Sequence, residues 1–372
     1  LHAVDPMDAA AVAELAGRLE VDLVVVGPEA PLAAGVADAV RDRGIACFGP
    51  SAQAARIEAS KAFAKEVMAA AEIPTALAHV CTTREEAAAA LDAFGPPYVV
   101  KDDGLASGKG VVVTGDRDTA LAHAATCDQV VIEEFLEGPE VSLFAICDGV
   151  AVLPLQPAQD FKRLLDDDAG PNTGGMGAYS PLPWAPADLV DEVRSRVLQP
   201  AVDEMSRRGL PFVGLLYAGL ALTSRGVRVV EFNARFGDPE TQVLLELLET
   251  PLGQVLHAAA TGRLDQVPPL RWREGAGVGV VMAADGYPDA PRRGDRITGL
   301  DEASALDGVQ VLQAGTAQGP EGLTTSGGRV LAVVAVDADL AAARKRAYEG
   351  AALVHFDGAQ YRHDIAQTAA QP

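Results

Sequence analysis

A glycine-rich loop with two lysines lies between two short β-branched runs. The segment 99–113 reads VVKDDGLASGKGVVV, with glycines at 104, 108 and 110 and lysines at 101 and 109. Glycine lets backbone amides approach an anion closely, and the ammonium groups supply positive charge, as a polyphosphate requires. The spacing is not that of a Walker loop, because Gly110 stands where serine or threonine belongs. A solvated glycine-rich hairpin is the alternative interpretation.

Lysine is scarce in this chain, and its distribution favours an anion site. The 30 basic residues include only six lysines, at 61, 65, 101, 109, 162 and 345. Four of the six lie in segments that carry the other candidate site residues. A compact ammonium suits a phosphate that moves during transfer, whereas arginine offers a fixed fork.

A carboxylate and a carboxamide occur two residues apart in the run VRVVEFNARFGDPE. The run predicts a strand from Val227 to Phe232, and the period-two alternation of a strand places Glu231 and Asn233 on one face. Two hard oxygen ligands of this kind suit Mg²⁺ or Mn²⁺. The alternative is a solvent-facing polar pair on an edge strand.

The segment 159–180, QDFKRLLDDDAGPNTGGMGAYS, is the longest stretch without periodicity. Loops of this length inside a compact chain are usually functional or disordered. Asp160, Lys162 and the run Thr173–Gly177 favour a substrate-binding loop, with Asp166–Asp168 as its solvated part.

Two further acidic residues have competing interpretations. Glu29 follows a predicted strand, where ligands of parallel sheets bind, but it is equally a first-turn helix acid. Asp238 precedes Pro239 and is most simply the N-cap of a helix with proline at its first position, with substrate binding as the alternative.

Length, charge and cysteine usage narrow the class of protein. A chain of 372 residues with 49% hydrophobic residues is long enough for two or three domains. A net charge of −22 argues against binding to nucleic acid or to an anionic membrane. The four cysteines form no C-x-x-C pair, and no apolar run reaches membrane-spanning length, which favours a cytoplasmic protein.

The predicted elements divide the chain into three α/β or α+β domains. We expect an N-terminal parallel α/β domain at 1–56, a central domain at 57–265 with a lid at about 74–146, and a small C-terminal α/β domain at 270–372. An α/β domain usually opens with a strand, so we expect an N-terminal strand–helix–strand unit to precede the predicted helix Pro6–Leu19. Asp102 directly follows Lys101 in the first of the two β-branched runs, and strand alternation predicts that it points away from the face of Lys101.

Taken together, these motifs and their order resemble those of the phosphoribosylamine–glycine ligases of the ATP-grasp superfamily, over essentially the whole length of the chain. The string GPNTGGMGAYSP is the most specific of the shared motifs. In chain order, the matching segments are Gly27–Leu32, Gly49–Ser51, Ser60–Phe63, Lys101–Gly110, Val131–Leu136, Gly170–Pro181, Glu231–Gln242, Gly279–Ala284 and Gly327–Arg329.

The resemblance implies an ATP-grasp fold and a set of roles around ATP and Mg²⁺ or Mn²⁺. Lys61 and Lys101 would hold the α- and β-phosphates. The glycine loop would close over the rest of the nucleotide through Ser107, Gly108, Lys109 and Gly110. The adenine and ribose would be held by the segment after a buried strand: Glu133, Glu134, Phe135, Leu136 and Glu140. Glu231 and Asn233 would bind the metal.

The resemblance also implies the reaction and its remaining residues. Glycine would be ligated to 5-phosphoribosylamine through a glycyl phosphate, giving glycinamide ribonucleotide for purine biosynthesis. The catalytic candidates are Arg235, Lys109, Asp160 and Lys162. The substrate candidates are Glu29, Asp160, Lys162, Thr173, Gly174, Gly175, Met176, Arg235 and Asp238. Another ATP-grasp carboxylate–amine ligase and a non-catalytic nucleotide-binding relative are the alternatives, and we expect a monomer or weak homodimer.

Overall fold

A computed structural model describes residues 2–104, 110–320 and 322–371. Its helices are α1 (Ala9–Arg18), α2 (Glu29–Ala33), α3 (Val36–Asp42), α4 (Arg56–Ala59), α5 (Lys61–Ala70), α6 (Arg84–Phe94), α7 (Arg117–Ala124), α8 (Leu189–Val193), α9 (Gln199–Arg207), α10 (Glu240–Leu247), α11 (Leu252–Ala260), α12 (Leu300–Ser304) and α13 (Leu340–Ala351). A π-helical turn, Arg194–Leu198, joins α8 to α9 into one continuous helical segment.

The strands are mostly short, and they form small sheets and hairpins. They are β1 (Leu23–Val25), β2 (Ala46–Phe48), β3 (Ala78–Cys81), β4 (Tyr98–Asp102), β5 (Val111–Thr114), β6 (Val130–Glu133), β7 (Glu140–Asp148), β8 (Val152–Pro154), β9 (Gln159–Asp160), β10 (Arg163–Leu165), β11 (Ala169–Asn172), β12 (Gly177–Ser180), β13 (Val213–Thr223), β14 (Gly226–Asn233), β15 (Ala276–Ala283), β16 (Val309–Gln313), β17 (Thr316–Gly319), β18 (Gly322–Thr325) and β19 (Arg329–Asp337).

The chain forms two compact units. The first comprises the chain up to Leu155 together with Ala187–Phe236 and Pro251–Pro269. The second comprises Gln156–Pro186, Gly237–Thr250 and the chain from Leu270 onward. This grouping differs from the three domains expected from the sequence, whose boundaries remain a prediction.

The N-terminal part of the first unit contains a parallel strand pair, as the sequence predicts. β1 and β2 pair in parallel, from Leu23 opposite Ala46 to Val25 opposite Phe48. Helix α3 packs on α1 and β2, and its apolar face buries Val36 and Val40 completely or nearly so. Burial of this face is the main stabilising term for such a short helix.

Two four-stranded antiparallel sheets complete the first unit. Sheet A has the order β3-β6-β4-β5, and sheet B has the order β14-β13-β7-β8. Helices α6 and α7 cover sheet A with a core that includes Leu91, Val100 and Ile132. A capping box begins α6: Thr83, followed three residues later by Glu86, is the sequence signature of this motif, which satisfies two otherwise unpaired backbone donors.

A β-bulge interrupts the pairing of β13 with β14 and sets the direction of the candidate metal ligands. Gly219 pairs with Glu231, but Leu220 pairs with Val229, which leaves Val230 as the additional residue. A Cβ atom at Gly219 would lie 3.3 Å from Cγ of Glu231, so glycine leaves room for that side chain. Bulges commonly redirect side chains beside functional sites.

The second unit is built on a five-stranded antiparallel sheet, here called sheet C, with the order β16-β19-β15-β12-β9. Helices α10 and α13 pack against it, and Val243 and Val281 lie in its core. The expectation that 159–180 lacks regular structure is wrong, because this segment contributes β9 and β12 to sheet C and forms the β10–β11 hairpin. Its glycines explain the absence of an alternating pattern, since at Gly177 a Cβ atom would lie 2.6 Å from the carbonyl oxygen of Gly279.

Within the described residues, no helix is both long and apolar enough to cross a membrane. The four cysteines are free thiols, and Cys47, Cys81 and Cys147 are buried, as expected for small core residues.

We expect Gly138→Ala to lower the free energy of unfolding by about 2–3 kcal/mol, because Gly138 has a left-handed φ that L residues rarely adopt. An added Cβ atom would also lie 2.3 Å from the carbonyl oxygen of Leu222. Urea unfolding of this variant is the measurement. Gly115→Ala is the control, because its Cβ atom would meet nothing within 4 Å. Equal stability of the two variants would contradict the strained approach at Gly138.

Candidate active site

In the first unit, the Glu133 carboxylate lies between two lysine ammonium groups. Oε1 of Glu133 is 2.9 Å from Nζ of Lys65, and Oε2 is 2.8 Å from Nζ of Lys101. Glu133 ends β6, Lys101 lies beside it on β4, and Lys65 comes from α5. The side chains of Glu133 and Lys101 are about 95% buried, so the ion pairs lie in a largely dry environment. A buried carboxylate needs such partners to remain charged.

Lys65 is held by three acceptors. Besides Glu133, Nζ donates to Oγ1 of Thr75 at 2.8 Å and to the carbonyl of Ala76 at 2.9 Å. Burial lowers the pKa of Lys65, and the Glu133 carboxylate opposes this change. The Thr75 hydroxyl in turn donates to the carbonyl of Val229 on β14. Lys65 therefore connects α5, sheet A and sheet B.

Lys101 faces the same region from sheet A. Its Nζ donates to the carbonyl of Val230, the additional residue of the bulge in β14, at 2.9 Å. Asp102 lies on the other face of β4 with Val100, on the side of the core against which Cys127 packs, and its carboxylate interacts with that thiol. The expected alternation of Lys101 and Asp102 is therefore confirmed.

Asp103 anchors the beginning of α5 against the end of β4. Its Oδ1 accepts from the N–H of Ala62 at 2.9 Å, and both oxygens accept from the Ser60 hydroxyl. This arrangement places Lys61 at the glycine loop, where Nζ donates to the carbonyl of Gly104 at 3.0 Å. Gly110 is described, whereas the predicted phosphate contacts Ser107, Gly108 and Lys109 lie outside the described residues.

Glu231 and Asn233 share one face of β14, as predicted. Nδ2 of Asn233 lies 3.4 Å from Oε1 of Glu231, which leaves the amide oxygen of Asn233 as a second hard ligand. Mg²⁺ is usually held by one or two carboxylates together with substrate phosphates, so this donor set fits the ion. Among the residues that the structure describes, no cluster of three or more His, Cys, Asp or Glu residues is arranged for metal binding.

Arg235 follows β14 and lies between two carboxylates. Its Nε is 3.4 Å from Oε1 of Glu58 and 3.6 Å from Oε2 of Glu29. Glu58 also accepts the backbone N–H of Ala234 at 2.7 Å. The structure thus brings together the predicted residues Glu29 and Arg235 and adds Glu58.

Burial raises the pKa of the Glu58 carboxyl to about 7. Arg235 and the Ala234 N–H act in the opposite direction, while the charges of Glu29 and Glu231 add to the rise. Glu58 therefore loses its proton near neutral pH, in a position beside the candidate metal ligands.

The predicted adenine and ribose segment follows Glu133 directly. Oε1 of Glu134 accepts a hydrogen bond from the backbone N–H of Leu77 at 3.1 Å, and Oε2 lies 2.9 Å from Nη2 of Arg225. These two contacts fix the start of the segment. Phe135 is 44% exposed and Leu136 is half-buried. Glu140 begins β7 and is exposed. The roles of these residues stay a prediction.

In the second unit, Asp160 and Lys162 lie close together, with Nζ of Lys162 4.0 Å from Oδ2 of Asp160. The neighbouring run Thr173–Gly177 is held by backbone bonds rather than left open. Thr173 donates through its N–H and its hydroxyl to the carbonyl of Lys162, and Met176 donates to the carbonyl of Phe161. Met176 is completely buried.

Arg329 organises the turn around Gly174 and Gly175 in the second unit. Its guanidinium donates to the carbonyl of Gly174 at 2.7 Å and, through two nitrogens, to the carboxylate of Asp238 at 2.9 and 3.0 Å. Helix α10 begins at Glu240 without a side-chain cap, so the interpretation of Asp238 as its N-cap is wrong. The Arg329 fork is a stronger partner for that carboxylate than a single backbone N–H.

Three residues at these positions were not predicted as site residues: Lys65, Glu58 and Arg329. Lys65 stands four residues after Lys61, and residues at this spacing share one helix face, so the helical period was a usable signal. Glu58 and Arg329 are brought to their partners by folding across many intervening residues, and no local pattern marks them.

We expect the stability difference between Glu58→Gln and the parent protein to depend on pH. The native state keeps a proton on Glu58 up to about pH 7, whereas the unfolded chain releases it near 4.5. As pH rises between these values, the parent protein loses stability and the neutral glutamine variant does not. Over this pH range, the difference in free energy of unfolding between the two proteins should shift by up to about 3 kcal/mol in favour of the variant.

Urea unfolding of both proteins from pH 5 to pH 8 tests this expectation. Glu14→Gln on the exposed face of α1 is the control and should follow the parent at every pH. A pH-independent difference for Glu58→Gln would show that the carboxyl titrates normally.

We expect Arg329→Ala to increase hydrogen exchange at the N–H groups of residues 174–176, because the turn loses its bonds to the guanidinium. Arg329→Lys should only partly restore protection, since an ammonium cannot form the same planar fork. Arg293→Ala, at an exposed arginine of the same unit, is the control. Unchanged exchange in Arg329→Ala would indicate that backbone bonds alone hold the turn.

Three domain models of one known protein family match this chain in order along its length. Residues 1–58, 59–241 and 277–368 match the N domain, the ATP-grasp (A) domain and the C domain of phosphoribosylglycinamide synthetase, respectively. A phosphoribosylamine–glycine ligase from Streptomyces coelicolor is 66% identical over 372 residues, which cover 100% of this chain and 89% of the relative. One from Mycobacterium tuberculosis is 55% identical over 380 aligned positions, with the same coverage.

Solved structures agree with this assignment. The phosphoribosylamine–glycine ligase of Thermotoga maritima is 37% identical with a TM-score of 0.79, and the match covers 86% of this chain and 82% of that protein. The biotin carboxylase domain of Hydrogenobacter thermophilus 2-oxoglutarate carboxylase has a TM-score of 0.76 at 16% identity, covering 97% and 81%, which shows a shared fold alone. The predicted ATP-grasp fold with additional N- and C-terminal domains is confirmed. The chain belongs to the phosphoribosylglycinamide synthetase family.

Proposed function

We propose that this chain, a carbon–nitrogen ligase of the ATP-grasp fold, joins glycine to 5-phosphoribosylamine at the expense of ATP, which is converted to ADP and phosphate. The products are glycinamide ribonucleotide, ADP and phosphate, and the reaction belongs to purine biosynthesis. Relatives with this name align over the full chain at up to 66% identity. One structural observation carries the proposal. The Lys101 ammonium donates to the backbone carbonyl of Val230, and this contact places a candidate phosphate-binding cation next to the candidate metal ligands Glu231 and Asn233.

The reaction we propose has two steps. An oxygen of the glycine carboxylate attacks the γ-phosphorus of ATP, the bond to the ADP oxygen breaks, and glycyl phosphate forms. The amine nitrogen of phosphoribosylamine then attacks the carbonyl carbon, phosphate leaves and the amine loses a proton. Splitting the reaction in this way replaces a poor leaving group by a good one.

The residues of the first unit are suited to the phosphoryl-transfer step. Lys61 and Lys101 would hold the α- and β-phosphates, and Arg235 would contact the transferred phosphoryl group or the glycine carboxylate. Positioning and charge neutralisation of this kind are the main protein contributions to phosphoryl transfer. Glu231 and Asn233 would hold a bound Mg²⁺ or Mn²⁺, which would neutralise charge on the phosphate oxygens.

The adenine would lie against the backbone at Phe135 and Leu136, with the Glu133 side chain beside it and Glu134 fixing the strand end. Glu140 would accept from the ribose hydroxyls. The loop residues Ser107, Gly108 and Lys109 would close over the phosphates together with Gly110. Support for these roles comes from the order of the matching motifs and from the position of the segment after β6.

The substrate residues of the second unit are proposed from the family resemblance and from their own arrangement. A carboxylate and an ammonium 4.0 Å apart, Asp160 and Lys162, can contact the hydroxyl and phosphate groups of phosphoribosylamine. Thr173, Gly174, Gly175, Met176 and Asp238 would shape this contact, and Glu29 of the first unit is a further candidate. A cytoplasmic location and a monomer or weak homodimer stay predictions.

ADP release from Mg-ATP, with glycine and freshly prepared phosphoribosylamine omitted in turn, tests the proposed function. We expect turnover only with both substrates. Glu231→Ala should reduce turnover by about a hundredfold or more, because a ligand of the proposed metal site is lost. Glu14→Ala, on the exposed face of α1, is the matched control and should retain full activity.

Other outcomes would replace the proposal. Turnover with a different carboxylate or amine would indicate another ATP-grasp ligase. Binding of Mg-ATP without turnover under any substrate combination would indicate a nucleotide-binding protein that is not an enzyme. Full activity of Glu231→Ala would remove this residue from the metal site.

A further inference from the structure

The Lys65–Glu133–Lys101 cluster contains two cations and one anion. The proposed reaction assigns no role to the second cation, Lys65. Two ammonium groups share one carboxylate, with Nζ to oxygen distances of 2.9 and 2.8 Å. The cluster therefore carries a net charge of one positive unit while all three groups are ionised. In an environment of low polarity, such a charge acts on a neighbouring anion more strongly than an exposed lysine does.

The two lysines are bound differently. The three N–H donors of Lys65 match three acceptors, which are Glu133, the Thr75 hydroxyl and the Ala76 carbonyl. Lys101 donates to Glu133 and to the carbonyl of Val230, the bulge residue beside Glu231. Among the described residues, Lys65 therefore has an acceptor for each of its three donors, whereas the Lys101 ammonium has two acceptors and a third N–H that can bind a further oxygen ligand.

We propose that Lys65 is a positioning residue that neutralises Glu133, so that the charge of Lys101 remains available to the nucleotide phosphates. This inference rests on the proposed function, because it requires that Lys101 binds phosphate. Without Lys65, Glu133 would have Lys101 as its cationic partner and the pair would be neutral. The Glu133 carboxylate would then neutralise the Lys101 ammonium, and the attraction of Lys101 for the nucleotide phosphates would be weaker.

The charge balance can be changed and restored with two substitutions. Lys65→Met keeps the apolar stem and removes the charge, which leaves the cluster neutral. The double variant Lys65→Met with Glu133→Gln also removes the carboxylate and returns the net charge to one positive unit. Glutamine keeps the shape of Glu133 and an oxygen acceptor. Lys345→Met, at a lysine whose side chain is 79% exposed, is the matched control.

Calorimetric binding of Mg-ADP and of adenosine separates the charge effect from contacts to the base. We expect Lys65→Met to weaken Mg-ADP binding by about tenfold or more and to leave adenosine binding within about twofold. The double variant should recover Mg-ADP affinity to within about threefold of the parent protein. In steady-state assays, Lys65→Met should raise KM for Mg-ATP with little change in kcat, since the effect is on binding.

Several results would overturn this inference. If Lys65→Met weakens Mg-ADP and adenosine equally, or if the double variant binds no better than the single one, Lys65 has a structural role only. Lys65→Arg keeps the charge in a folded background, so weak Mg-ADP binding by this variant would also count against the charge argument. Failure of the parent protein itself to bind Mg-ADP would instead refute the proposed function.

Discussion

The buried carboxylate of Glu133 is the constraint on which the first unit depends. It ends β6, accepts from Lys101 on the neighbouring strand, and accepts from Lys65 on α5. The same two lysines reach the carbonyl of Val230 directly and that of Val229 through Thr75, so sheet B is tied to the cluster as well. Because a charge in such a place is costly without partners, the cluster fixes sheet A, sheet B and α5 relative to one another within this unit.

The bulge in β14 links this scaffold to the proposed chemistry. By inserting Val230 into the pairing, it presents a carbonyl to Lys101 and at the next residue begins the Glu231–Asn233 face. The glycine opposite Glu231 leaves space for the carboxylate. Beyond the strand, Arg235 is oriented by Glu58 and Glu29, so that cations and anions alternate along a short path. Such an alternation limits the net charge of the region, although burial still raises the pKa of the Glu58 carboxyl.

The second unit holds its glycine-rich turn, residues 173–177, in a different way. Its glycine-rich turn has few side chains that could pack, and it is held instead by backbone bonds to Phe161 and Lys162 and by the Arg329 fork on Asp238. An arginine that binds both a carbonyl and a carboxylate restricts a glycine turn without filling the space around it. A turn held in this way can present backbone groups to a small polar ligand at little further entropic cost.

The sequence by itself determined the family, the chemical class of the candidate residues and much of the local structure. Motif order, the capping box of α6, the strand alternation at Lys101 and Asp102, and the shared face of Glu231 and Asn233 all depend on residues close in the chain.

Only the tertiary structure placed Lys65 and Lys101 on one carboxylate, set Arg235 between Glu29 and Glu58, and assigned Asp238 to Arg329 instead of to a helix cap. It also turned 159–180 from an expected loop into strands of sheet C. These contacts join residues tens to more than a hundred positions apart, where packing and the cost of burying charge decide the partner and local periodicity carries no information.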